Sequence, residues 1–164
     1  GTVGPDLCDY VLADPVVLAM LHQGWRESSA GIVHATGAEP AWLADHCKDL
    51  EHRFANQPLG DPLDRLGRDP LRKLAPNDRL VAPARLALAA GVTPLALASG
   101  IAAAFRFAPA DDPLAQELQA RLRAEGLPKV MAAVAGITAD EPLGLLVRQA
   151  YNDLPAWAAG QGQA

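Results

Sequence analysis

Apolar residues recur at helical spacing along most of this chain, and the runs stop where a glycine or an acid-proline pair interrupts them. From Pro15 to about Ala35 the apolar positions are Val17, Met20, Leu21, Trp25, Ile32 and Val33, and Gly37 follows, which predicts one long helix. A second helix is expected from Pro40 to about Phe54, with Trp42, Leu43, Cys47 and Leu50 on one side and Asn56 and Pro58 ending it. The two should form a helical hairpin. Between Pro58 and Pro83 the long apolar period is lost, and short pieces rich in Gly, Asp, Asn and Pro take its place. Regular helices are then expected at about 82–90, 94–105, 113–125, 128–135 and 142–154, with Gly91, Gly126 and Gly136 as breaks.

Fourteen prolines fit a helical chain only if they lie at helix starts, because one in a helix interior costs about 3 kcal/mol. Asp14-Pro15, Asp61-Pro62, Asp69-Pro70, Thr93-Pro94 and Asp112-Pro113 each place a capping residue before a proline suited to the first helical position. No alternating β-branched segment of useful length appears, and neither does a GxGxxG turn or a fixed-period repeat. The expectation is an all-α fold, one helical domain over residues 1–155, with 156–164 a frayed tail. The length of 164 residues suits one domain with its own core.

Composition sharpens this picture. Half of the residues are hydrophobic but only 5% are aromatic, so the core must be built from Ala, Leu and Val packed at close range. The formal charge of −5 argues against a general affinity for nucleic acid, which needs an excess of Lys and Arg. The longest apolar stretches fall far short of the ~20 residues of a membrane span, and no basic-then-apolar leader opens the chain, so a cytoplasmic location is expected. Cys8 and Cys47 are too few and too far apart for a disulfide framework or a zinc knuckle. His46 and His52 flank Cys47 without the i,i+4 spacing that puts two ligands on one helix face, and no metal site is expected.

One segment runs against the net acidity. Arg65, Arg68, Arg72, Lys73, Arg79 and Arg85 put six of the fourteen cations within residues 65–85. If the segment is partly helical, Arg65, Arg68 and Arg72 at i, i+3 and i+7 share a face, and the Asp69-Pro70 start aims backbone N–H groups the same way. Guanidinium groups recognise phosphate with paired donors and a lysine adds a compact charge, so a small phosphorylated ligand fits this set. Asp61, Asp64, Asp69 and Asp78 are interleaved with the cations, however, and a solvated face laced with ion pairs has the same composition. The residues leave both readings open.

The same stretch carries a resemblance. Arg53-Phe54-Ala-Asn56-Gln-Pro58, then Arg65-Leu-Gly67-Arg68-Asp69-Pro70-Leu71-Arg72-Lys73-Leu74 and Asn77-Asp78-Arg79-Leu80, resemble the mannitol-1-phosphate 5-dehydrogenase family of long-chain polyol dehydrogenases. The likeness continues through Gly100-Ile-Ala-Ala-Ala, Asp111-Asp112-Pro113 and Ala115-Gln116-Glu117-Leu118, and covers nearly all of residues 6–154. It implies a helical substrate domain of the kind that ends 6-phosphogluconate dehydrogenases. An N-terminal Rossmann domain carrying NAD would be its partner, and a sugar or polyol phosphate its ligand. The family moves a hydride between mannitol 1-phosphate and fructose 6-phosphate, using a lysine base in a K-x4-N-x2-H block. Lys48, Lys73 and Lys129 are not followed by that spacing, so the base and the cofactor site are expected outside this chain, which would be a fragment, inactive alone. A stand-alone helical interaction or anion-binding module is the alternative.

On the motif match, Arg68, Arg72 and Lys73 are the expected phosphate-end group, with Arg65 and Arg79 as second choices. Asp78 would orient Arg72 or Arg79 through a carboxylate–guanidinium pair, or else cap the next helix. Trp25, Trp42 and Trp157 are read as core rather than sugar platforms. His22 and His34 are twelve residues apart on one helix, too far to share a ligand, and His34 suits the negative end of the helix dipole.

Overall fold

The computed structural model describes residues 12–55 and 63–154, and every regular element among them is a helix. In order they are α1 (Pro15–Thr36), α2 (Pro40–Phe54), α3 (Leu63–Gly67), α4 (Pro70–Lys73) and α5 (Val81–Ala89). α6 (Leu95–Arg106), α7 (Pro113–Glu125), α8 (Leu127–Ala135) and α9 (Pro142–Asp153) follow. The fold is therefore all-α, as the spacing of apolar residues implied, with boundaries displaced by only a residue or two.

Most starts follow from local chemistry. The Asp14 carboxylate accepts from the N–H groups of Val16 and Val17 at 2.8 and 3.3 Å, with Pro15 at the first helical position where no N–H is needed. Asp112 does the same for α7, accepting from Leu114 and Ala115 ahead of Pro113. α1 stops at Gly37, whose φ of 71° lets its N–H reach the Val33 carbonyl. Pro62, Asn56, Pro58, Cys8, Trp157 and the 156–164 tail lie outside the described residues.

Thr93-Pro94 departs from the pattern. Pro94 is the capping residue rather than the first helical one, and Thr93 makes no side-chain cap. The cap comes from α1 instead: the fully buried Glu27 carboxylate accepts from Ala96 N at 2.8 Å and Leu97 N at 3.0 Å. A carboxylate on the first-turn donors satisfies them and opposes the positive end of the helix dipole, so Thr93 is not needed.

α6 forms the centre of the core. Ala98, Ile101, Ala102 and Phe105 pack with Leu74, Val81, Ala84, Leu118, Val130, Met131, Leu143 and Val147, all buried. Small residues permit this density. At Gly31 a Cβ would stand 2.7 Å from the backbone of Leu86, so the absence of a side chain is what lets α1 lie against α5. Among the described residues, no buried side-chain N or O atom lacks a hydrogen-bond partner.

The expected α1–α2 hairpin forms, but α1 makes its main packing surface with α5 and α6. α2 has one buried residue, Leu43. Trp42, expected in the core, is 63% exposed and stacks on His46 one turn later. The apolar position was read correctly as helical, but the face it lies on is the solvent side of α2. Trp25 is half-buried between His22 and Phe54.

Candidate functional site: the basic turn

The basic segment is not one helix face. α3 ends at Gly67 and α4 begins at Pro70, so Arg65, Arg68 and Arg72 do not form a continuous i, i+3, i+7 row. Between the two helices Asp69 adopts a left-handed conformation, φ 57°, the only positive φ of a non-glycine residue among those described. Its carboxylate accepts from Arg72 N at 3.2 Å, which occupies a donor at the start of α4 that was expected to face a ligand.

The turn distributes the cations. Arg68 is directed to Asp111 at 2.9 Å, and Arg72 to Asp69 at 3.6 Å. Arg79 pairs with Asp78 at 3.0 Å, and Lys73 donates to the Leu66 carbonyl. Asp78 thus orients Arg79, and its carboxyl is held below the usual range by the backbone N–H and side chain of Arg79. It gives no side-chain cap to α5. Lys73 is held below the ordinary lysine value by burial, then by the charges of Arg79 and Arg72, with Asp69 and Asp112 opposing. Arg72, Lys73 and Arg79 therefore form one electrostatic group, with Arg68 turned toward the loop before α7. Arg65 is exposed on α3.

That loop is the part the sequence did not disclose. Three consecutive residues of the basic turn dock on it. Gly67 lies against the Phe107 ring so closely that a Cβ would fall 2.2 Å from it, Arg68 pairs with Asp111, and the Asp69 N–H donates to the buried Asp112 at 3.1 Å. Gln116 and Gln119 of α7 fasten the loop from behind, donating to the carbonyls of Ala108 and Pro109 and of Phe105 and Phe107. Asp112-Pro113 was legible as a helix start. The second oxygen of Asp112 was not.

A concavity of about 730 Å³ lies away from the basic turn, between α1 and α2, and is bordered by His22, Trp25, Val33, His34, Cys47 and Glu51. His22 meets Glu51 across it at 3.0 Å. His34 borders the same concavity, twelve residues further along α1. Cys47 is a free, half-buried thiol on this wall. Among the described residues no three His, Cys, Asp or Glu side chains converge as a metal would require, and no helix is long and apolar enough to cross a membrane.

The described residues are thus an all-helical unit with no strand among them, whose basic turn is docked on the loop before α7. The chain belongs to the family of the mannitol dehydrogenase C-terminal domain, whose model matches residues 2–158. It is similar to mannitol-1-phosphate 5-dehydrogenases of Halalkalibacterium halodurans, 36% identical over 132 residues, and of Bacillus subtilis, 37% identical over 138 residues. The Bacillus velezensis protein of the same name is 36% identical over 141 residues. These alignments cover 80%, 84% and 86% of this chain but 35%, 36% and 37% of the relatives, so the chain spans about a third of the length of the proteins it matches.

Proposed function

We propose that this chain is the substrate-closing part of an NAD-dependent dehydrogenase interconverting mannitol 1-phosphate and fructose 6-phosphate in the cytoplasm, and that its basic turn receives the phosphate end. The observation that carries the reading is the set of cations about the Asp69 turn, Arg68, Arg72 and Arg79, held by exposed ion pairs beside Lys73, in a family whose relatives bear the mannitol-1-phosphate name. Mutually repelling cations are relieved by a dianion, and the pairs they now make are cheap to exchange. The Arg72 and Arg79 side chains are 63% and 60% exposed, and ion pairs at such exposure contribute about 0–1 kcal/mol. A phosphate offers three oxygens to the same donors.

In this reading NAD is held outside this chain, because the sequence holds no glycine-rich turn before a helix of the kind that cradles a dinucleotide. The cofactor and the base of the K-x4-N-x2-H block belong to a preceding Rossmann domain in this reading. Arg72, Lys73 and Arg79 would hold the sugar chain by its far end, with Arg68 and Arg65 beside them and Asp78 fixing the direction of Arg79.

The test is a titration of the 164-residue chain with fructose 6-phosphate and with fructose, following the backbone amides of residues 68–80 by NMR. Saturable shifts with the phosphorylated sugar alone are expected. Binding should strengthen as the phosphate loses its second proton near pH ~6 and weaken on the alkaline side earlier than an ordinary lysine would dictate, because Lys73 is held low. Equal responses to both sugars would place the phosphate elsewhere.

A further inference from the structure

Asp112 is buried, charged and placed to do two things at once. One oxygen, Oδ1, accepts from Leu114 N and Ala115 N at 3.0 and 3.1 Å and so starts α7; the other, Oδ2, accepts from Asp69 N at 3.1 Å, forty-three residues away in sequence. The residue it holds is the one non-glycine residue with a left-handed backbone among those described, a conformation that few L residues adopt. The cations of the turn lie on either side of Asp69: Arg68 before it, Arg72 and Lys73 just after. A change of backbone at Asp69 therefore turns Arg68 relative to Arg72, Lys73 and Arg79, which all follow it in the chain. The loop that carries Asp112 is itself tied down, because Gln116 and Gln119 donate to the carbonyls of Ala108 and Pro109 and of Phe105 and Phe107.

From this geometry we propose that Asp112 is a positioning residue for the phosphate end of the substrate: it touches no ligand, but by holding the Asp69 N–H it sets the angle at which Arg68 is presented beside Arg72 and Lys73. The inference rests on the reading that the basic turn binds phosphate. It assigns to α7 a part in recognition that its cap alone does not require. The neighbouring Asp111 differs, since its pair with Arg68 is exposed on both sides and can be exchanged for a ligand.

The two functions of Asp112 can be separated. In Asp112→Asn the amide oxygen can keep both α7 donors, and asparagine is as good a capping residue as aspartate. Its NH2 group then faces the Asp69 N–H, donor against donor. Flipping the amide would regain one hydrogen bond and forfeit two, so the capping orientation wins. Asp112→Ser is the second variant, with one capping oxygen on a side chain too short to reach Asp69. The experiment measures, for the 164-residue chain and both variants, amide exchange at Asp69, Leu114 and Ala115 together with NMR affinity for fructose 6-phosphate.

In both variants we expect faster exchange at Asp69, retained protection at Leu114 and Ala115, and about tenfold weaker binding, the equivalent of one charge-assisted hydrogen bond. Asp111→Asn should leave the Asp69 amide protected. Wild-type affinity in variants whose Asp69 amide has opened would overturn the positioning role while the phosphate reading stands, provided Arg72→Ala still weakens binding. Loss of protection at Leu114 and Ala115 in both variants would also overturn it, because Asp112 would then hold the fold and not the turn. Indifference of the unaltered chain to fructose 6-phosphate would overturn the phosphate reading, and the positioning role with it.

Discussion

Two carboxylates in this domain reach across the fold to hold backbone N–H groups, and they do so in contrasting surroundings. Glu27 is fully buried and seals the start of α6 at the heart of the core. Asp112 is also buried, but the turn it holds carries Arg68 and Arg72 at the surface, each paired with a carboxylate that water can reach. At α6 every donor is committed and nothing can be exchanged without exposing a buried charge. At the basic turn the backbone is fixed while the side chains are left with weak, replaceable partners. Closed polar contacts hold the shape, and open ones leave it able to bind.

The contrast is broken most severely at its closed end. Glu27→Ala leaves two donors of α6 facing an apolar core, and the chain should lose about 3 kcal/mol of stability, read as a lower midpoint in urea with an unchanged slope. A cost below about 1 kcal/mol would mean that water replaces the carboxylate and that the site is not closed. Gly31→Ala tests the same region without charge: its Cβ would meet the Leu86 backbone at 2.7 Å, and separating α1 from α5 should cost about 2 kcal/mol by thermal or urea unfolding.

At the open end the order of effects is reversed. Arg72→Ala should change stability by less than about 0.5 kcal/mol. In a full-length enzyme it should raise KM for fructose 6-phosphate about tenfold with little change for fructose, since a charge-assisted hydrogen bond to an exposed ligand is worth about 1.5 kcal/mol. Equal losses on both sugars would make the arginine a structural residue. Smallest is the Glu141 network. The Arg85 hydrogen bond, followed by the Thr138 N–H and hydroxyl, holds the Glu141 carboxyl below its usual value. A depressed carboxyl stabilises the fold above its unfolded pKa and loses that contribution as the pH falls through its folded value. Glu141→Gln should therefore cost under about 1 kcal/mol at neutral pH, a difference that shrinks on acidification. A cost that stays constant with pH would place it in packing.

Sequence reasoning succeeded where the cause of a structure is local. Asp14-Pro15 and Asp112-Pro113 each contain both the acceptor and the residue that needs no donor, and glycines at 37, 91, 126 and 136 supply the positive φ that ends or turns a helix. Thr93-Pro94 has the same local appearance, but the helix after it takes its cap from Glu27, sixty-nine positions before the Ala96 N–H that it accepts from, which periodicity cannot reveal. The same limit governs the basic turn. Its cations and their motif were visible, and of the roles open to Asp78, a pair with Arg72, a pair with Arg79 or a helix cap, the fold takes the pair with Arg79, but the break between α3 and α4 and the docking on the loop before α7 depend on contacts forty-three residues apart. Trp42 shows a further limit, because periodicity identifies a helix without saying which side its neighbours will cover.

The slender attachment of α2 has a consequence for motion. With Leu43 as its one buried residue, this helix is expected to open while α5 to α9 stay folded, as a separate unit of the native state. Its amides should exchange with solvent through a low-energy excursion, whereas those of α6 wait for global unfolding. The concavity between α1 and α2 then has a width set by that equilibrium, and whatever settles into it will be felt first as slower exchange along α2.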